Sequence, residues 1–575
     1  TGPGAGQLTL EAFDPTPDED NGDGNRIFRI DDGTGTLHTA AISGLTLTGG
    51  DVNTGGGAIF SLENLTVQRS HITGNSASST SGFLTAGGGI YINAATLIVE
   101  ESTISDNFAY HDNGAIGGGI ASGLGDVIIR SSTVSGNTVR APFGLSGGVA
   151  YGGGVAVGNG THTFAHSTFF DNRASGMDSF GGGIFAFGTE HETTVDHTIV
   201  AENFGEFGRE ISSDLVTPRV TLAHSLIGHN TGFAFNDNGG NLLDENPLLI
   251  NKLLDRGGPT PTLGIRPDSP IIDQGDPLAG AGVGSVPEFD QRGAPFDRVA
   301  DGDGNGSAVI DIGATEFQTV AGLALVVDTL LDENNGDYSA GDFSLREAIG
   351  LANGSIGSDA ITFDAELSGQ TIQLAQGDLH IVESLTIDAL SSVGAIVVDA
   401  SASDPTPDVK QGDGSRIFAI DADFRSDNEV IDVVLRGLHL TGGDVDGNGG
   451  AIDSEDNLEL VNVTIDGNFA TGNGGGVDMS NSDAALLVTG STISGNIAAI
   501  GSGGGIQPQG FSTRGGGAIR LRSADATILN STISGNRTVG DSADGGGIVA
   551  TGSNLTIRHS TVSGNSTSGA GSHGG

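Results

Sequence analysis

Blocks of three consecutive glycines followed by a small or apolar residue recur along the first part of this chain, and few folds accept that pattern. They stand at Gly55–Gly57, Gly87–Gly89, Gly117–Gly119, Gly152–Gly154 and Gly181–Gly183. A second block, Ser-Thr-apolar-x-x-Asn, alternates with them: STISDN ending at Asn107, STVSGN at Asn137 and STFFDN at Asn172, with weaker versions ending at Asn75, Asn203 and Asn230. The spacing is roughly 30 residues, the length of a solenoid repeat. From Gly89 to Asn107 one period reads GIYI, LIVE and STISDN, three short β-branched runs separated by Gly and Asn turns. No helical periodicity lies between them. Three strands per period, repeated many times, predict an all-β, right-handed parallel β-helix solenoid of pectate-lyase-like architecture, the hand following the crossover rule.

Each block then has a task. Inward Ile, Val and Leu stack on the same residue type one rung away, about 4.8 Å distant. The aligned asparagines predict a side-chain amide ladder: Asn75, Asn107, Asn137, Asn172, Asn203 and Asn230, and further along Asn468, Asn496, Asn536 and Asn565. Gly triplets supply positive φ or close backbone approach between rungs. Ser and Thr are expected to face outward.

A longer period overlies the short one. DPTPD at Asp14–Asp18 recurs at Asp404–Asp408, GDGNRIF at Gly22–Phe28 recurs as GDGSRIF at Gly412–Phe418, and LTGGDV at Leu47–Val52 recurs at Leu440–Val445. The offset is 404 − 14 = 390 residues for the first pair. The chain therefore reads as about one and a half tandem modules, each of roughly eight or nine rungs and about 40 Å long. Its opening directly into folded-looking sequence suggests a window of a longer polypeptide. Residues 1–245 are the β-helix of a first module without its N-terminal cap, and 246–320 its C-terminal closing segment. Residues 321–389 are the cap and first rungs of a second module, whose β-helix is 390–575. In FSLREAIGLANG, Ser344 and Glu347 form a capping box, Leu345, Ala348, Ile349 and Ala352 share one helical face, and Asn353-Gly354 ends it. Such a short amphipathic helix suits the open end of a solenoid, where strand edges and apolar core need cover.

These residues also carry a resemblance. FSLREAIGLAN resembles the CSLREA domain found near the start of large exported bacterial repeat proteins, although Phe343 stands in place of its Cys, so any disulfide there is lost. DRGGPTPTLGIRPDSPIIDQGD followed by DQRG and DIGATEF, within Asn246–Phe317, is similar to the choice-of-anchor Q domain. The glycine and Asn-ended blocks are similar to polymorphic outer membrane protein repeats. The resemblance implies export, extracellular or cell-surface residence and a β-helix, and brings no catalytic residues.

Composition narrows the partners. The formal net charge is -48, and Lys occurs only at Lys252 and Lys410. Such a surface repels nucleic acid and anionic membranes and suits a cation-rich medium. There is no Cys, which excludes disulfides, thiolate metal sites and Cys nucleophiles. No run of about 18 apolar residues exists for membrane insertion.

Two loops are candidates for calcium, the one cofactor the sequence suggests. DGDGNG places Asp301, Asp303 and Asn305 at the alternate spacing of a calcium loop, with Asp311 as a further donor; the competing reading is a plain Asp/Gly turn. Asp18, Asp20 and Asp23 form a weaker candidate, whose counterpart keeps Asp408 and Asp413 but has Val409 and Lys410 between. Asp106, Asp171 and Asp466 precede ladder asparagines and read as turn residues, and His71, His166 and His559 read as structural. Asn-x-Ser/Thr sequons at Asn64, Asn159, Asn462, Asn530, Asn554 and Asn565 read as by-products of Ser/Thr/Asn-rich rungs, with attached glycan as the alternative. The expected function is a structural, non-enzymatic extracellular rod or filament whose partner is another copy of itself. A cell-surface adhesin binding glycans is the alternative. A polysaccharide lyase or hydrolase comes third, since such sites need converging carboxylates and favour aromatic platforms, and this chain has no Trp.

Overall fold

From Thr85 to Ala115 the chain makes one full turn of a coil, and the local sequence sets each corner. The structure is a computed structural model. It describes the chain except residues 1, 3, 18, 81–84, 143–147, 215–217, 232, 319–323, 356, 393, 422–429, 500–513, 542, 573 and 575, and the side chains of 514 and 515. Strands Ile90–Ile92, Leu97–Glu100 and Thr103–Ser105 are the three read from the sequence. Each pairs in parallel with its equivalent one turn on: Ile90 with Ile120, Leu97 with Val127, Thr103 with Thr133. Inward side chains therefore stack like on like. Ile90, Leu97, Val99 and Ile104 are fully buried above Ile120, Val127, Ile129 and Val134. At about 25 cal/mol per Å2, such apolar burial is the main favourable term in each rung.

Two further short strands complete the turn. Phe108–His111 follows the ladder asparagine and Thr85–Ala86 precedes the glycine block. Between them lies a second, narrow core of Ala109, Ala115, Val139, Ala141, Ala150 and Ala174. A core built mostly of alanine leaves no bulky alternation in the sequence, so the expected three-strand rung omitted these strands.

The glycine block is a place of close approach. Its second residue takes positive φ at Gly56, and its first at Gly87, Gly117, Gly181 and Gly152 (+67°). A Cβ on the next residue, Gly153, would lie 2.3 Å from the carbonyl oxygen of Gly182 in the following turn. Rungs about 4.8 Å apart leave no room there for any side chain.

The chain divides into two compact units, Thr1–Val320 and Ala321–Gly575. In the first, the Ser-Thr strands form a nine-stranded parallel sheet. Residues 246–317 contribute the antiparallel hairpin Leu249–Leu254 with Thr262–Ile265 and then pack on the outer face of that sheet. Thr103 Oγ1 donates to Pro261 O (2.7 Å), Thr133 Oγ1 to Gln291 Oε1 (2.6 Å), and Thr168 Oγ1 accepts from Ala314 N–H (3.0 Å). These threonines, expected at an open surface, are thus buried under the closing segment. Leu263, Ile271 and Ile312 join Phe170, Ile199 and Leu226 in a core between segment and sheet.

In the second unit, parallel sheets of eight, seven, six and five strands repeat the arrangement. The α-helix Leu345–Asn353 begins at a complete capping box of Ser344 and Glu347. It packs on Leu325–Val327 and Leu379–Ile381, the edge strands of two of those sheets, and buries Leu345, Ala348, Ile349, Leu351 and Ala352.

Candidate functional site

The asparagine corner is a continuous hydrogen-bonded column inside the first unit. Nδ2 of Asn75 donates to Oδ1 of Asn107 (3.0 Å), Asn107 to Asn137, Asn137 to Asn172 and Asn172 to Asn203, the last three at 2.9 Å. Each Nδ2 also donates to a backbone carbonyl two residues back, as Asn107 does to Ser105 O (2.8 Å). The column ends on a carboxylate: Asn203 donates to Glu210 Oε2 at 2.7 Å. Glu210 is fully buried, and burial pushes its carboxyl up to about 8. Asn230 stands outside the column, its backbone N–H donating to Asp244. In the second unit Asn468, Asn496, Asn536 and Asn565 form the same column, each link 3.0 Å. The amide of the Asn565 sequon is committed to that column.

A second column was not foreseen. The serine that opens each Ser-Thr block points inward, and its hydroxyl accepts the backbone N–H of its equivalent one turn away: Ser70 N to Ser102 Oγ, Ser102 to Ser132, Ser132 to Ser167, at 3.1 to 3.3 Å. The preceding residue turns the corner with positive φ at Glu101, Ser131, His166, His197 and His224. There His166, His197 and His224 stack with ring centroids 5.0 Å apart. Asp196 joins His197 and His224 within ligand distance, though Nδ1 of His197 already meets Asp196 (2.8 Å) and Nε2 accepts from Asp276 N–H (3.0 Å).

The acidic loops assemble differently from their spacing. Asp301 and Asp303 come together with Asp273, from another part of the closing segment. Asn305 donates to Asp303 (2.8 Å). Asp311 is buried elsewhere, its carboxylate accepting from Asp273 N–H (2.7 Å) and Phe317 N–H (2.6 Å), with burial pushing it up to about 7. It belongs to an internal ionic group with Glu316 and the fully buried Arg298, whose Nη1 is 2.5 Å from Glu316 Oε1. Asp23 meets Asp14 and Asp51, Asp20 is exposed beside them, and Asp18 lies outside the described residues. The repeat reassembles this triad as Asp404, Asp413 and Asp444. Asp51 and Asp444 sit about 30 residues past the loops they meet, roughly one rung, so local spacing concealed them; their shared LTGGDV block was the available signal.

Beside the glycine corner the two units differ in chemistry. In the first unit, Tyr151, Phe180, Phe185 and Phe207 line a cleft of about 780 Å3 rimmed by Glu206, Ser212, Ser213 and Asp214. Tyr151 stacks on Phe185 (4.5 Å) and Phe180 on Phe207 (5.0 Å). Apolar ring faces beside hydroxyl and carboxylate groups are the components of a site for a small amphipathic ligand. In the second unit, one place past the apolar residues Ile452, Val477 and Ile519 beyond the glycine blocks, stand Asp453, Asp478 and Arg520, register partners on successive strands. Arg520 meets Asp478 at 2.8 Å, and Arg416 lies 3.6 Å from Asp453. Burial pushes Asp478 up to about 7. Two acids stand on neighbouring rungs, and the repulsion between them is offset by one arginine on each side, Arg416 beside Asp453 and Arg520 beside Asp478.

Searches against protein-family models and among curated proteins found no match to this chain.

Proposed function

We propose that the protein is architectural: a stiff β-helical element of an extracellular or cell-surface filament, built from tandem modules of about 390 residues. The observation that carries this reading is the parallel register kept from turn to turn within each unit. Apolar, asparagine and serine columns run along successive turns, so each turn is bonded to the turns beside it and stiffness accumulates along the axis. The resemblance to exported repeat proteins and the charge of -48 agree with an extracellular setting. The preferred partner is another copy of the chain, joined through coil ends. Electron microscopy of the chain at rising concentration tests this. Filaments that lengthen with concentration support it, and particles that stay single at every concentration contradict it.

The aromatic cleft favours one second reading, a glycan-binding adhesin. Sugars present C–H faces that stack on rings and hydroxyls that reach carboxylates. Under that reading a glycan binds the wild type, and Tyr151→Ala, which removes the central ring, abolishes binding.

A further inference from the structure

We propose that Asp404, Asp413 and Asp444 form a binding site for a divalent cation of the calcium class, distinct from the architectural reading above. One carboxylate oxygen from each lies within 4.8 Å of the others. Two oxygens bound to one calcium at about 2.4 Å lie no more than about 4.8 Å apart, so the triangle has the size of a shared coordination shell.

The second observation is the state of Asp404. The residue is only 6% exposed, and its Oδ2 is buried without a hydrogen-bond partner. Its Oδ1 accepts from Thr406 N–H (2.7 Å). A buried carboxylate oxygen that has lost water and gained no hydrogen-bond donor lacks a compensating partner, which a bound cation would supply. Lys410 does not supply it: its Nζ donates to Gly443 O (3.4 Å). The neighbouring carboxylates are themselves fixed by the fold. Asp444, fully buried, accepts from Gly412 N–H (2.6 Å) and Gln411 N–H (3.3 Å). Asp413 accepts from Thr406 Oγ1 (2.9 Å) and Gln411 Nε2 (2.8 Å). Three like charges are thus held converging by donors that leave further lone pairs free. All donors are hard oxygens, the set that selects calcium or magnesium over softer metals.

The first unit repeats the design. Asp14 accepts from Thr16 N–H (2.9 Å), Thr16 Oγ1 donates to Asp23 (3.2 Å), and Asp51 accepts from Gly22 N–H (2.7 Å). The same bonds thus form in both units, although the offset between copies changes from 390 for Asp14 and Asp404 to 393 for Asp51 and Asp444.

Calorimetric titration of EDTA-stripped full chain with calcium chloride tests the assignment, using wild type and Asp413→Asn. Asp413 is exposed, so this variant keeps the buried donors to Asp444. The variant is expected to bind one calcium equivalent fewer, or that equivalent at least tenfold more weakly. Equal stoichiometry and affinity in both proteins, or no calcium binding to wild type, would overturn the proposal. Crystals grown in calcium give an independent reading. An anomalous peak bonded to all three carboxylates is expected, and a triad without one overturns the assignment.

Discussion

Asn203 closes the amide column of the first unit on Glu210, its Nδ2 donating to Oε2 at 2.7 Å. A column of identical amides hands hydrogen bonds along one direction, and its last donor needs an acceptor that the next turn does not supply as asparagine. Glu210 supplies it from seven residues further along the same turn, at the cost of a buried carboxyl whose Oε1 has no hydrogen-bond partner.

That placement makes stability depend on pH in a defined direction. Burial raises Glu210 to about 8 from its ordinary 4.5, against the lowering effect of the Asn203 bonds. Between those values the folded state holds a proton that the unfolded state has released, so stability falls as pH rises. The contribution is fully present below about 4.5 and lost as pH passes through about 8. Glu210→Gln keeps an acceptor for Asn203 and removes the titration. Chemical denaturation of both proteins from pH 5 to 9 should therefore show the variant gaining on wild type with rising pH. The gain should reach a few kcal/mol at most, since each tenfold difference in proton affinity between folded and unfolded states is worth about 1.4 kcal/mol.

Interior rungs of the column should be costly to break. Asn137 donates to Ile104 O, Ser135 O and Asn172, and accepts from Asn107. Asn137→Ala strands several buried partners at about 1–3 kcal/mol each. Asn230→Ala, outside the column, should change stability by less than about 0.5 kcal/mol. Denaturant midpoints of the two variants make the comparison directly.

The glycine corner predicts a second contrast. A Cβ at Gly153 would meet the Gly182 carbonyl at 2.3 Å and Arg173 N at 2.5 Å, whereas nothing lies within 4 Å of one at Gly304. Both contacts at Gly153 are backbone, so no rotamer relieves them. Gly153→Ala should cost about 3 kcal/mol or more, by separating two turns. Gly304→Ala should cost about 1 kcal/mol, from its φ of +71° alone. Thermal melts of the two variants check the ranking.

Arg298 is the charge on which the closing segment depends. It bonds Glu316 and the carbonyl oxygen of Gly313 (2.7 Å) while fully buried. Arg298→Met leaves Glu316 and Asp311 without their cation, a loss of about 3–5 kcal/mol. Both acids are already held above their ordinary range by burial, so the loss should shrink as pH falls and they take up protons. Hydrogen exchange across residues 246–317 at two pH values reads both effects.

Much of this architecture was legible because it is periodic. Ile90, Leu97 and Ile104 announce their strands by β-branched alternation, and Ser344 with Glu347 announces the helix start. What escaped the sequence was either too small or too distant. Ala109 and Ala115 pack a core without bulk, so their strands left no pattern. Ser102 and Thr103 are adjacent and chemically alike, yet one faces the column inside and the other meets the closing segment outside; only the turn at Glu101 decides which. Asp14, Asp51 and Asp273 join carboxylates far away in sequence, where spacing carries no information until the coil brings successive turns together.

The most direct test of the architectural reading is X-ray fibre diffraction from aligned native assemblies. Coils stacked along the filament place their strands across the axis, which predicts a strong meridional reflection near about 4.8 Å. A pattern without that reflection on the meridian, or material that yields no aligned assemblies, would contradict it.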